Sequence, residues 1–251
     1  MKNLQFLIVG VITLTLTSCK EEKPKNIITL IDTSGTIDSN TIEWYRESVE
    51  NCIMQKMGKK DRFMVLPIDF GSQTASQELY RVDFSKNNYK NEFAGLQSAE
   101  VEAQSHADSI KKEINTFRIA FANAKTSRER FNRGTDIIGS VKEASKYFDP
   151  NTENILVIFS DMMQYTDKSK MNMESQLNNE DEVETYLSRV EPINLLGFKI
   201  IILTGIQEGM TPIKYNAIKS FWEIYINKCE GSLIDYSGGM RTKLEESISN
   251  K

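Results

Sequence analysis

Short apolar runs of strand length alternate along this chain with longer stretches of helical periodicity, and that alternation constrains its fold more than any other feature. Residues 27–32, 62–69, 155–160 and 198–204 are nearly continuous apolar runs, as expected of strands buried on both faces. Between them, Ile42, Tyr45, Val49, Cys52, Ile53 and Met57 recur at spacings of three and four. So do Ile137, Ile138, Val141, Ala144 and Phe148, and again Ile218, Phe221, Trp222, Tyr225 and Cys229. Such an order predicts an α/β fold, with a doubly wound, mostly parallel sheet flanked by helices. Residues 78–84 alternate polar and apolar after a short turn, which predicts an antiparallel edge strand. Residues 182–190 form a further helix, 232–235 a last short strand and 239–249 a closing helix. The helix over 40–57 is expected to open on an Asn40–Glu43 capping box and to stop at Gly58, and Asp149-Pro150 ends the helix over 135–148.

Residues 92–130 exceed what a minimal unit of this kind needs. They hold no proline and only Gly95, while Ala103, Ala107, Ile110, Ile114, Phe117, Phe121 and Ala124 repeat at spacings of four and three. This predicts a long helical insertion with a coiled-coil-like seam. The seam either packs on the domain itself or forms an arm that pairs with a partner.

Residues 1–18 stand apart from the fold. Lys2 supplies a positive start, residues 4–16 are mostly apolar, and Leu16-Thr17-Ser18-Cys19 follows. The apolar run is short for a membrane-spanning helix of ~20 residues but suits a signal peptide. The four residues ending at Cys19 resemble a bacterial lipobox, which implies lipidation of Cys19 and attachment to a membrane of the cell envelope. Residues 19–25 are then a polar tether and 26–251 the folded domain. Lys20-Glu21-Glu22 also resembles the signal by which some Gram-negative groups display lipoproteins, so the outer membrane is the expected location.

Composition narrows the functions open to such a domain. The 251 residues are 39% apolar and 26% charged, enough for one sizeable core, and the formal net charge of −4 argues against a nucleic-acid binder. Cys52 and Cys229 both fall on apolar helical stripes on opposite sides of the expected sheet, and should be free buried thiols. No Cys/His cluster has zinc spacing, and His106, the only histidine, is expected at the surface. A nucleophile–histidine pair would have to be built around it.

The chemistry-bearing residues follow the first strand. Asp32-Thr33-Ser34-Gly35-Thr36 stands at its carboxyl end, where open parallel sheets bind ligands. One carboxylate and two hydroxyls at alternate positions converge if the chain turns sharply, and oxygen-only ligands of this kind suit a hard cation. Asp69, at the end of the second strand, is expected to be solvated. Met162, Met163, Met171 and Met173 lack cysteine or histidine partners and are expected to pack rather than to bind a soft metal.

Asp32-x-Ser34-x-Thr36 after an apolar strand resembles the metal-ion-dependent adhesion site of von Willebrand factor A domains. Thr135, in Arg133-Gly134-Thr135-Asp136, is similar to the threonine which that family places before a helix across the site, and Asp161, in Phe159-Ser160-Asp161, to its last acidic ligand. The resemblance implies a divalent-metal site at Asp32, Ser34, Thr36, Thr135 and Asp161, holding magnesium, or manganese or calcium. Ser34, Thr36 and Thr135 would coordinate through hydroxyls, and Asp32 and Asp161 through waters. An acidic side chain of a protein ligand would fill the open position. Met162-Met163 stands where glycine is common, a departure at the loop beside the ligand.

Taken together, these features describe a membrane-anchored, non-enzymatic binding module. The alternatives are a structural subunit of an envelope complex that retains Thr135 and Ser34 as cap and turn residues without a metal, or a metal-dependent hydrolase. The hydrolase lacks both a GxxxxGK[ST] loop and a triad.

Overall fold

The first apolar run forms β1 (Lys25–Asp32), all eight of whose residues are buried. A strand with no exposed face lies inside a sheet covered on both sides. β1 is flanked by β2 (Arg62–Ile68) and β4 (Glu153–Phe159), both parallel to it, with Asp32 opposite Ile68 and Ile31 opposite Phe159. β3 (Tyr80–Asp83) pairs antiparallel with β2 and forms an edge, as its alternating pattern predicts. After β4, a small separate hairpin joins β5 (Tyr165–Thr166) to β6 (Met171–Asn172). The chain then returns to the sheet with β7 (Phe198–Leu203) and β8 (Ser232–Ser237), giving the order β3-β2-β1-β4-β7-β8. This computed structural model describes residues 23–35, 37–72, 78–86, 99–131, 133–166, 171–205, 209–238 and 241–249. The signal-peptide stretch, Cys19 and Thr36 lie outside the described residues.

Alternate residues of the strands feed two cores. Ile28, Leu30, Leu156, Ile158, Ile200 and Ile202 pack under α3 (Ile137–Ser145), α5 (Val183–Leu187) and α6 (Pro212–Lys228), with the single-turn α4 (Met173–Gln176) at one end. Ile27, Ile31, Val65, Val157, Ile201 and Leu203 pack under α1 (Ser39–Ser48), α2 (Ala99–Ser127) and α7 (Arg241–Ser249). Cys229 belongs to the first core and Cys52 to the second, and both are free thiols, as the topology requires.

Several elements depart from their sequence expectations. The helix predicted over 40–57 is α1 followed by a π turn (Val49–Ile53) and a 3-10 turn (Met54–Lys56). Asp38, not Asn40, caps it, accepting from the amides of Asn40 and Thr41, while Glu43 pairs with Arg46 instead of reaching back. Within the π turn, Cys52 and Ile53 are buried together with Glu50, whose carboxylate accepts from Arg46 and Arg118. Lys25, placed in the polar tether by its charge, is the first residue of β1; its ammonium donates to the Ile248 carbonyl near the end of α7. α3 stops at Ser145, so Phe148 is 42% exposed rather than inward, resting on Phe198. His106 is half-buried, its ring against Phe84 and its Nε2 2.9 Å from the Met57 carbonyl.

The seam of the long insertion packs on the domain itself. Ile110, Ile114, Phe117 and Phe121 join the second core, with Phe117 against Phe63 and Tyr80, while Ala103 near the start of α2 is exposed. Among the described residues no helix is long and apolar enough to cross a membrane.

Candidate metal site

The strand order reverses between β1 and β4; β1 ends there on Asp32, and Ser160 and Asp161 follow directly after β4. Asp32, the last residue of β1, is fully buried. Its Oδ1 accepts the Ser34 amide at 2.9 Å, bending the chain sharply after the strand, and its Oδ2 accepts the Ser160 hydroxyl at 2.7 Å. Ser160 Oγ in turn accepts the Met162 amide at 3.0 Å, and Asp161 Oδ1 accepts the Met163 amide at 2.9 Å. The loop after β4 is thereby folded back over the end of β1.

Thr135 reaches the same place from the other side. It exchanges both main-chain hydrogen bonds with Tyr165, each at 2.9 Å. Gly134 permits this approach, since a Cβ there would stand 2.9 Å from the Tyr165 carbonyl oxygen. Asp136, not Thr135, caps α3, its Oδ1 accepting the Gly139 amide at 3.0 Å. The cap role open to Thr135 in the sequence is therefore taken by its neighbour.

Ser34, Thr135 and Asp161 line one cleft of about 950 Å³, with Asp32 buried below. Arg133, Lys214, Asp38 and Glu174 place charge of both signs on its walls, and Met163, Tyr165, Met210 and Ile37 give it an apolar rim. Desolvation by burial pushes Asp32 above the usual carboxylate range against its hydrogen bonds from Ser34 and Ser160. Asp161 is raised by desolvation and then by the charge of Asp32. Two neighbouring carboxylates that each resist ionisation form a site where a cation would lower the energy of both. Among the described residues no group of three or more His, Cys, Asp or Glu side chains could hold a metal. The polar side chains gathered here, the carboxylates of Asp32 and Asp161 and the hydroxyls of Ser34 and Thr135, offer oxygen alone, the chemistry that suits a hard divalent cation and not a soft one.

Of the five residues singled out in the sequence, Asp32, Ser34, Thr135 and Asp161 come together here, and Thr36 lies outside the described residues. Asp69 is not solvated. It is fully buried below the site and receives the Arg128 guanidinium at both carboxylate oxygens, with Arg128 Nη2 at 2.9 Å from Oδ1. That pair joins the end of β2 to the residue just after α2, and no local pattern in the sequence links positions 69 and 128. Met162 adopts φ +62°, the left-handed conformation that glycine takes without steric cost, while its side chain is buried in the first core and its carbonyl accepts the Trp222 indole N–H at 2.9 Å. Met171 and Met173 are also core residues, so the methionines serve packing, with Met163 alone of the four lining the cleft.

Sheet order and the antiparallel edge strand give a doubly wound, von Willebrand factor A-like α/β fold. No family model matches the chain, nor does any curated protein. Solved structures of similar fold include BatB from Bacteroides thetaiotaomicron, at 10% identity and a TM-score of 0.45 over 90% of this chain and 98% of that one. The SpRpn10 VWA domain is similar at 10% identity and a TM-score of 0.41, over 91% and 95%. Proximal thread matrix protein 1 from the mussel byssus is similar at 12% identity and a TM-score of 0.43, and the matched region of this chain, 91% of it, spans only 47% of that protein. These likenesses concern architecture alone.

Proposed function

We propose that this chain is a binding module that recognises a protein ligand through a divalent cation, magnesium in the first instance and manganese or calcium by the same donors. Ser34, Thr36 and Thr135 would hold the ion by their hydroxyls, and Asp32 and Asp161 largely through waters. When bound, the ion would supply an open coordination position for an acidic side chain of the ligand. The observation that carries this reading is the convergence of Ser34, Thr135 and Asp161 on one cleft above the buried Asp32. On this reading the site binds and does not cleave: its acids would serve the cation, and His106, the chain's one histidine, meets the Met57 carbonyl away from the cleft. We further propose that Cys19 is lipidated and tethers the domain to a membrane of the cell envelope, the outer membrane first. Fatty-acid labelling that disappears with Cys19→Ala would support the tether, and equal labelling of both forms would remove it.

The metal reading is tested by calorimetry with magnesium and manganese on the wild type and Asp32→Ala. Heat of binding should be present in the first and absent in the second, and a cooperative melt of the metal-free variant, lowered by loss of the Ser34 and Ser160 bonds, shows that it still folds. No heat from a well-folded wild type at millimolar ion would overturn the reading.

A further inference from the structure

We infer that Gln164 is a positioning residue of this site, acting on Thr135 through Asp136; the inference rests on the metal reading above. Gln164 is only 1% exposed, and a buried primary amide must find partners for both its carbonyl and its amino group. Its Oε1 accepts the amides of Ile137 at 2.7 Å and Ile138 at 3.1 Å, in the first turn of α3, where a helix cannot satisfy its own donors. Its Nε2 donates to Asp136 Oδ1 at 3.2 Å, the same oxygen that caps α3. Its backbone carbonyl accepts the Met173 amide at 3.1 Å, and the next residue, Tyr165, makes the two main-chain bonds to Thr135. One side chain therefore ties the loop that carries Asp161 to the helix start that carries Thr135, and sets the separation of the two donors.

The polarity of that tie is specific. A carboxylate at position 164 could still accept from the two helix amides but could not donate to Asp136, and would face it with like charge. An amide at position 136 keeps Oδ1 as the shared acceptor of Gly139 and Gln164 and loses only the charge. Both changes together remove the like charge but leave position 164 without a donor, because Oδ1 stays turned to Gly139.

The experiment uses the full chain and manganese as the probe, in Gln164→Glu, Asp136→Asn and the double variant. Outer-shell partners of this kind alter metal affinity by about 10- to 100-fold, so Gln164→Glu should bind manganese that much more weakly, Asp136→Asn should bind much as the wild type, and the double variant should recover the part of the loss that like charge causes. A loss of packing alone would not be rescued by the swap, and thermal midpoints of all four proteins check folding. A Gln164→Glu variant that binds as the wild type, or a double variant no stronger than Gln164→Glu, would overturn the inference while leaving the metal reading intact. A wild type that binds no manganese overturns the metal reading, and the positioning role with it.

Discussion

The Ser160 hydroxyl donates to Oδ2 of Asp32 at 2.7 Å, joining residues 128 positions apart and locking the end of β4 to the end of β1. Ser160→Ala removes a donor from a fully buried carboxylate. Leaving such an acceptor short costs about 1–3 kcal/mol, so the denaturant midpoint of the metal-free protein should fall with an unchanged slope. A midpoint equal to the wild type would mean that Asp32 does not depend on this bond.

Asp32 and Asp161 should give the domain a pH dependence opposite to that of most carboxylates. Both are raised chiefly by burial, so the folded state holds their protons more tightly than the unfolded chain, whose carboxylates titrate near ~4. Such groups favour folding at low pH, and their contribution is lost as pH rises through the folded values. The chelator-treated protein should therefore become less stable from about pH 5 to about pH 8. Asp38 and Asp149, whose values are lowered, titrate below that window. Saturating magnesium should reverse the trend, because the ion binds the ionised forms. Denaturation at the two pH values, with and without ion, decides it; a flat profile in the chelated protein would contradict the shifts.

Arg128→Met should be among the most damaging single changes. It leaves the Asp69 carboxylate buried without its guanidinium, and breaking a buried pair from one side costs about 3–5 kcal/mol. Arg128 also lies 5.0 Å from the Phe131 ring, whose residue returns its carbonyl to the Phe70 amide. Urea titration should show the loss, and Asp69→Asn together with Arg128→Met should recover part of it by removing the orphaned charge.

Glu230→Gly should stabilise. Glu230 is exposed at φ +62° just past α6, where its amide bonds the Asn227 carbonyl and the Gly231 amide bonds the Ile226 carbonyl, both at 3.0 Å. This is a Schellman ending with a non-glycine residue in the left-handed position. Relief of about 1–2 kcal/mol of backbone strain, less the extra chain entropy of glycine, leaves a gain of roughly 0.5–1 kcal/mol. A thermal melt that moves down instead would show that the Glu230 side chain contributes something its exposure does not suggest.

The parts of the fold set by periodicity were readable in the sequence, and those set by long-range pairing were not. β1 stands out because Ile27 to Ile31 leave no face for water but Thr29, and β3 because its residues alternate. The seam of α2 is visible residue by residue, yet its choice of Phe63 and Tyr80 as neighbours depends on where β2 and β3 lie. At the site, Asp32, Ser34, Thr135 and Asp161 were legible because they sit at the ends of predicted elements. Gln164 and Arg128 were not: each acts across the sequence, on Asp136 and Asp69, through bonds that no local spacing encodes. The π turn at Val49 was hidden for a related reason, since the burial of Glu50 depends on Arg118, which belongs to α2.

The hairpin of β5 and β6 hangs outside the main sheet, meeting the rest of the domain through Thr135, Gln164 and the buried side chain of Met171. Its outward residues, Tyr165 and Asn172 among them, share the cleft wall with Glu174 but take no part in the six-stranded ladder. Variation there changes what the cleft will accept without passing through the folding core. Descendants of this chain could thus diverge in the wall of the cleft while the sheet and the polar residues at the ends of β1 and β4 stay as they are.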